Sequence, residues 1–565
     1  MKGDSEMMNK SIKEEYLRWC NNATGDEDLI TELKAMTEDQ IEDAFYRELA
    51  FGTGGLRGMI GAGTNRMNVY IVAKASQGLA NYVKKLFNNG TVAVSYDSRI
   101  KSELFRRVAS AVFAANGLKV WLYDTLMPTP CLSYAVRKLG CSAGIMVTAS
   151  HNPGKYNGYK VYGPDGCQIT TEAAKDILTE IEALDVFSDV QQGDFEKSLA
   201  DGDIRYIDCT VYDDFVAEVK SQSVLYGDKI DKDVAVVFSP LNGTGLKPVT
   251  RTLKESGFTN ISIVPEQEMP DGNFPTCPYP NPEIREAMKL GLKMAKEVGA
   301  DLLLATDPDC DRCGIAIAEG EDYKLLSGNE VGLLLLDYIC SQRVKHNAMP
   351  SDPVFVKTIV TMDLAEKIAA HYNVRTINVL TGFKYIGEQI GLLEKQNKEA
   401  SFICGFEESY GYLTGTYVRD KDAVDAAFMI CEMFAYYKTR GIGLLQKLEE
   451  LYMMYGYCMN TLHFYSFEGS AGFNKMQNIM ANLRKGLKLI GSKAVVNTLD
   501  YSKGLDGLPK SDVLKFILDD DCSMVVRPSG TEPKLKTYIS VNADNQVEAK
   551  KIEAQIVEEL TDYFK

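Results

Sequence analysis

Three times along the chain, apolar residues at helical spacing are followed by an unbroken apolar stretch and then by a polar loop. In the first, Thr129 and Pro130 open a helix carrying Leu132, Ala135, Val136 and Leu139 on one stripe, and Gly140 stops it. The strand-like run from Ala143 to Val147 then leads into "TASHNPGKYNGYK", residues 148–160. In the second, Asn281-Pro282 opens a helix with Ile284, Met288, Gly291, Ala295 and Val298 on one face, Gly299 ends it, and "DLLLAT" runs into "DPDCDR". In the third, Leu364, Ile368 and Tyr372 lie on a helix, "RTINVL" is a strand and "TGFKY" is the loop.

Uninterrupted apolar strands alternating with helices predict α/β domains with mixed, mostly parallel sheets. Ligands of such sheets sit beyond the carboxyl ends of the strands, where all three polar loops fall. The pattern predicts three similar α/β domains, residues 1–205, 206–325 and 326–450, around a central cleft. Residues 451–565 differ: a strand-like "CSMVV", the loop "RPSGTEP" and an amphipathic helix from about Asn545 predict a C-terminal α+β domain. Residues 1–45 are charged and helical in pattern, without a chemical motif.

A chain of 565 residues is too long for one core. Its formal charge of −16 disfavours general binding to nucleic acid or anionic membrane, so an anionic substrate must be held by local Arg, Lys and backbone N–H groups. The N-terminal stretch has no apolar core of a secretory signal, and the longest apolar run, "VGLLLLDYIC", is interrupted by Asp337; a cytoplasmic location is expected. Thirteen scattered cysteines, with one CxxC at Cys310 and Cys313 and no second pair, read as reduced thiols.

The loops carry the candidate chemistry. Asp307, Asp309 and Asp311 alternate, and on extended backbone they would share a side, where three carboxylates need a cation; hard oxygen ligands select Mg²⁺ or Mn²⁺. An EF-hand is excluded by Arg312 at its sixth position and Ala318 at its twelfth. A solvated acidic turn stays open, as does a phosphatase with Asp307 as nucleophile. Ser150 is a weak nucleophile without a base. His151 is its neighbour, but on extended backbone the two side chains would point apart. A phosphoryl group on Ser150 removes that need and brings oxygens that complete the site of an Asp-held cation. Lys160 closes the same loop with a positive charge. Arg527, Ser529, Gly530 and Thr531 form a plausible phosphate cradle, with a plain β-turn as the rival. Glu407 and Ser409 of "CGFEESYGY" suit vicinal hydroxyls, and "FGTGGLRG" reads by composition as a turn from which Arg57 could reach a phosphate.

These loops, in this order, resemble the α-D-phosphohexomutase superfamily of phosphoglucomutases and phosphomannomutases. "TASHNP" looks like its phosphoserine loop, "DPDCDR" its metal loop, "GFEES" its sugar-recognition loop and "RPSGTEPK" its phosphate loop; "TGFKY", "LSGNEVG" and "FGTGGLRG" are further similar segments. The resemblance covers about residues 50–540 and implies three α/β domains and a smaller fourth around one cleft. It implies a phosphorylated Ser150 facing Mg²⁺ on Asp307, Asp309 and Asp311, with Arg57 and Lys160 as general acid/base neighbours; His151, beside Ser150, is counted among the catalytic residues but not as the base of Ser150. It implies sugar-phosphate binding by Arg312, Thr381, Gly382, Lys384, Glu407 and Ser409, and by Arg527, Ser529, Gly530 and Thr531. Some members carry a His after the E-x-S motif; here Tyr410-Gly411-Tyr412 follow, so roles of that His do not transfer.

The implied reaction interconverts glucose 1-phosphate and glucose 6-phosphate through glucose 1,6-bisphosphate, which also serves as activator. The related phosphomannomutases, phosphopentomutases and glucose-1,6-bisphosphate synthases are the nearest alternatives. A sugar phosphatase using Asp307, or a non-catalytic sugar-phosphate sensor, are the alternatives of another class. Sugar phosphates are the expected partners; the sequence leaves monomer or dimer open.

Overall fold

The computed structural model describes residues 2–52, 54–467, 469–505, 507–529 and 534–564. Four sheets carry the architecture. The first has seven strands in the order Phe51–Gly52, Gly55–Met59, Tyr156–Tyr162, Ala143–Val147, Thr91–Tyr96, Lys119–Leu122 and Ile204–Tyr206. Its last four strands are parallel, and the pairings on the other side are antiparallel. The second sheet runs Asp322–Leu326, Cys313–Glu319, Leu302–Thr306, Val236–Ser239 and Ile261–Ile263; the third runs Arg375–Val379, Val354–Thr358, Phe402–Glu407 and Gly411–Leu413. Both have parallel strands at the centre and an antiparallel return at one edge. The fourth sheet, from Tyr457–Ser466 to Lys493–Asp500 and Leu489–Ile490, is antiparallel throughout.

The apolar runs in the sequence are the buried central strands. Ala143–Val147, Leu302–Thr306 and Val354–Thr358 are buried at every position, as strands covered on both faces require. The second and third sheets share one core, joining Val236 and Leu304 to Val354, Val356 and the helix Gly328–Lys345. That helix starts in a reciprocal cap between Ser327 and Glu330, within the "LSGNEVG" segment. Asp337, which interrupts its apolar run, is buried and accepts from Tyr372 Oη at 2.8 Å and Lys447 Nζ at 3.1 Å. Among the described residues no helix is long and apolar enough to cross a membrane. All thirteen cysteines are free thiols.

Two helix starts differ from the sequence reading. Thr129 is the first helical residue rather than the cap, with Pro128 before it. The helix expected at Asn281 begins at Arg285, because Asn281 makes its own turn by accepting the Glu283 N–H at 3.2 Å. Gly299 ends that helix in the left-handed conformation, φ 64°, as expected. The third repeated helix is Leu364–His371, capped by Tyr372. "FGTGGLRG" is not a free turn: Gly55–Met59 is a strand beside Tyr156–Tyr162.

The fourth sheet packs helices Gly469–Leu483 and Gln546–Phe564 on one face through Met480, Ile556 and Leu560. Its other face lays Val525 and Tyr538 against Ile359, Val360 and Leu380 of the third sheet's loops. Asp363 sits at this junction. It holds Lys357 Nζ at 2.9 Å, Lys515 Nζ of the fourth sheet at 2.8 and 3.0 Å, and the Ser523 hydroxyl at 2.7 Å. Both lysines are buried.

Candidate active site

The loops after Val147, Thr306, Val379 and Glu407 converge at the carboxyl ends of their strands. The serine and the acids meet directly: Ser150 Oγ donates to Asp307 Oδ2 at 2.8 Å, across 157 residues of chain. Asp307, Asp309 and Asp311 are fully buried, each offering a carboxylate oxygen within 4.8 Å of the others'. They converge for a reason other than the alternation expected of extended backbone. Residues 308–310 form a turn with Cys310 at φ 53°, and Asp307 Oδ1 closes it by accepting the N–H groups of Asp311 (3.1 Å) and Arg312 (3.0 Å).

The arrangement fits a divalent cation. Among the described residues Asp309 Oδ1 and Asp311 Oδ1 are buried without a hydrogen-bond partner, and a buried carboxylate oxygen left unpaired is costly. Their other oxygens face cations: Lys160 Nζ reaches Asp309 at 2.7 Å and Asp311 at 3.1 Å, and Lys421 Nζ reaches Asp311 at 3.2 Å. Thr129 Oγ1 donates to Asp309 at 2.8 Å, tying the acidic loop to the first domain. Burial, with Asp309 and Asp311 adding to it, pushes Asp307 well above the ordinary carboxylate range. Burial would do the same to Asp311, but Lys160, Lys421 and Arg312 outweigh it and hold Asp311 far below that range.

Ser150 is buried and its backbone is left-handed, φ 52°. This overturns the argument that His151 must point away. The extended backbone assumed there is absent, and His151 Nδ1 lies 3.1 Å from Ser150 Oγ. Burial, then the charges of Arg312 and Arg57, lower the His151 pKa well below its usual value, so the ring is neutral at pH 7. Arg57 lies exposed on the strand Gly55–Met59, second from the sheet's edge, and donates to Asn152 Oδ1 at 3.2 Å. Gly55 pairs with Lys160 across the strands, so Arg57, two residues on, shares the face of Lys160. Burial works against the charge on Lys160, but Asp309 and Asp311 raise its pKa above the usual value. It stands here as a counter-ion to two acids.

The remaining expected residues have the following partners. Arg312 is ion-paired with Glu283. Glu407 is buried and accepts the Gly382 N–H at 2.9 Å, which joins the "GFEES" and "TGFKY" loops. Burial raises its pKa, against the pull of Lys421 and Arg312. Thr381 Oγ1 is buried without a partner among the described residues, and Lys384 Nζ lies 5.1 Å from the Tyr385 ring centre. Ser409 is half-buried in the turn whose next residue, Tyr410, has φ 65°. A side chain at Gly328 would sit 2.3 Å from the Glu408 carbonyl, so glycine lets the helix start pack under this loop. Arg527 pairs in register with Lys536, and the Ser529 N–H donates to the Lys534 carbonyl at 2.7 Å. Tyr538, two rungs away on the same sheet, is close enough to Glu408 and Arg527 to feel both charges. Gly530 and Thr531 lie outside the described residues.

Sequence reasoning missed Lys421, Thr129 and Glu408. Lys421 comes from "VRDKDAVDAA", where the only signal is a cation within an acidic run before a helix. Glu408 faces the hydroxyls of Thr361 (3.4 Å) and Thr358 (3.5 Å), and burial together with Glu407 pushes its pKa up to about 7.

The phosphoglucomutase/phosphomannomutase profiles match in order: alpha/beta/alpha domain I at residues 48–186, domain II at 213–320, domain III at 327–455 and the C-terminal domain at 480–559. A protein of Staphylococcus saprophyticus named phosphoglucomutase is 35% identical over 541 residues, covering 93% of this chain and 96% of its own. Two solved structures share the fold. One is a phosphoglucomutase/phosphomannomutase family protein of Burkholderia thailandensis (TM-score 0.68, 18% identity, 91% of this chain and 97% of that one). The other is the Paramecium phosphoprotein parafusin in an open form (TM-score 0.68, 18% identity, 92% and 95%).

Proposed function

The chain belongs to the phosphoglucomutase/phosphomannomutase family, and from that premise we propose that it is a phosphoglucomutase: a cytoplasmic enzyme that interconverts glucose 1-phosphate and glucose 6-phosphate. One observation carries the mechanism. Ser150 Oγ stands 2.8 Å from Asp307 inside a buried group of three carboxylates, two of which keep an unpaired oxygen. Asp307, Asp309 and Asp311, with a phosphoryl oxygen on Ser150, would hold Mg²⁺. When bound, that ion supplies positive charge to the phosphoryl oxygens as charge moves onto them.

The protein's own groups do the rest. The C6 hydroxyl of glucose 1-phosphate attacks the phosphorus on Ser150; the P–O bond to Ser150 breaks as the new one forms, and Ser150 Oγ leaves as an alkoxide that takes up a proton. The sugar bisphosphate turns over in the cleft, and its C1 phosphoryl group returns to Ser150 by the reverse chemistry, releasing glucose 6-phosphate. Arg57, Arg312, Lys160 and Lys421 surround the path with positive charge. His151, neutral and 3.1 Å from Ser150 Oγ, is placed to accept or return a proton there. Glu407, Ser409, Thr381, Gly382 and Lys384 read the sugar hydroxyls. Arg527 and Ser529, with Gly530 and Thr531, take the phosphate that is not reacting. Burial of the acids and Ser150 keeps water from the phosphoserine.

The test measures glucose 6-phosphate formation and free phosphate on one sample, across glucose, mannose and ribose 1-phosphates, with the intact mass recorded. Ser150→Ala should lose mutase turnover. Turnover at the wild-type rate with bisphosphate supplied would sink the shuttle, and phosphate release independent of Ser150 would point to Asp307 as a nucleophile.

A further inference from the structure

We propose that Arg99, which no sequence motif singled out, is the positioning residue of the Ser150 loop, and that the second domain locks it through Phe274. The proposal rests on Ser150 being the phosphoryl carrier. The loop does not hold its shape unaided: Ser150 lies in left-handed backbone, φ 52°, which is strained for a residue with a side chain. Four of its carbonyl groups converge on one guanidinium. Arg99 donates through one terminal nitrogen to the carbonyls of Pro153 and Tyr156, both at 3.0 Å, and through the other to those of Ser150 and Asn152. Only a planar fork offers that many donors in fixed directions; a lysine has three, on a flexible stem.

The fork is itself fixed. Asp97 lies 3.4 Å from Arg99 Nε, and Asp97 also accepts from Thr148 Oγ1 at 2.6 Å; Thr148 Oγ1 in turn accepts the Ser150 N–H at 2.7 Å. Both charges are buried. The open face of the guanidinium is covered from the second domain by the Phe274 ring, 5.1 Å away. Gly272 lets this cover approach, because a Cβ there would sit 2.4 Å from the Ile100 nitrogen. The covering loop is tied back to the acids. The Asp271 N–H donates to the Asn242 carbonyl at 3.0 Å, and Thr244 grips the Pro308 carbonyl with its N–H (2.8 Å) and hydroxyl (2.9 Å). Residues 242–244 therefore hold both the loop that covers Arg99 and the loop that carries the three acids. This segment therefore couples the cover on Arg99 to the acidic loop, beside the direct ties that Thr129 and Lys160 make to Asp309.

Arg99 is too buried to touch a sugar phosphate, so its loss must act on the chemical step rather than on substrate affinity. Full-length phospho-enzyme is mixed with glucose 1-phosphate and quenched on the millisecond scale. Arg99→Lys keeps the charge and loses the fork; we expect transfer at least 30-fold slower with KM within threefold of wild type. Phe274→Leu keeps the packing volume and loses the ring face; we expect a five- to tenfold fall with the same split. Transfer by Arg99→Lys within threefold of wild type overturns the proposal, as does a loss matched by KM or by the unfolded fraction. If Arg99→Lys does not fold, Phe274→Leu decides, and a rate within twofold of wild type overturns it. Failure of the phosphoserine reading shows separately, as wild-type protein that carries no phosphoryl group on Ser150.

Discussion

Replacing Asp363 by asparagine removes one charge and almost no volume from the junction of the third and fourth sheets. It leaves two buried ammonium groups. Lys357 keeps Glu366 at 3.0 Å, but Lys515 is left facing the Ile359 carbonyl at 3.3 Å and like charge. Burial already lowers the Lys515 pKa, and Asp363 is the main force opposing that. Without it Lys515 escapes by losing its proton. The cost of holding a lysine neutral is about 1.4 kcal/mol per pH unit below its free pKa of about 10.4. At pH 7 that is at most about 4.6 kcal/mol, and at pH 9 at most about 1.9 kcal/mol. The sign follows from the proton count: the folded variant binds fewer protons than its unfolded chain, so its stability rises with pH until the free lysine pKa is reached. The stability gap between wild type and Asp363→Asn should therefore narrow by up to about 2.7 kcal/mol from pH 7 to pH 9. Urea unfolding of both proteins at the two pH values, followed by tryptophan and far-UV signals, measures it. A gap that stays constant, or is under about 1 kcal/mol at pH 7, refutes the account of the junction as a charge balance.

Other expectations follow from the site. Ser150→Ala should cut glucose 6-phosphate formation by on the order of 10³-fold or more in a coupled assay, with thermal stability unchanged. Asp309→Asn should raise the Mg²⁺ concentration for half-maximal turnover on the order of 10–100-fold, read by titration of activity against metal. Glu408→Gln should stabilise the protein at pH 8 by about 1–2 kcal/mol and do little at pH 4. The folded-state pKa of Glu408 is raised, to about 7, so its contribution is lost as pH climbs from about 4.3 through 7. Lys421→Met should slow turnover about tenfold or more while leaving the fold intact by circular dichroism, since it removes one of two ammonium groups on Asp311.

The repeated helix–strand–loop pattern was legible because each central strand is buried along its whole length and so reads as an unbroken apolar run. The loops were legible as chemistry because their polar residues follow those runs directly. What was not legible came from backbone conformation and from distance along the chain. The left-handed turn at Ser150 reversed the expected relation to His151, and the turn at Cys310 gathered the acids by a route that alternation does not describe. Thr129, Lys421 and Arg99 lie in ordinary-looking sequence. Their roles exist only once separate sheets are docked, as in the pairing of Thr129 with Asp309 across 180 residues.

That last pairing bears on how the chain matures. The triplet of acids is complete by residue 312, yet of the lysines that offset it one lies at position 160 and the other at 421. A ribosome-bound product ending before Lys421 would carry a concentrated negative charge with half of its ammonium balance still unmade. Completion of the third domain, which brings Lys421, thus acts as the moment at which the cleft becomes electrically tolerable, and fragments cut short of it are the ones that proteases should clear first.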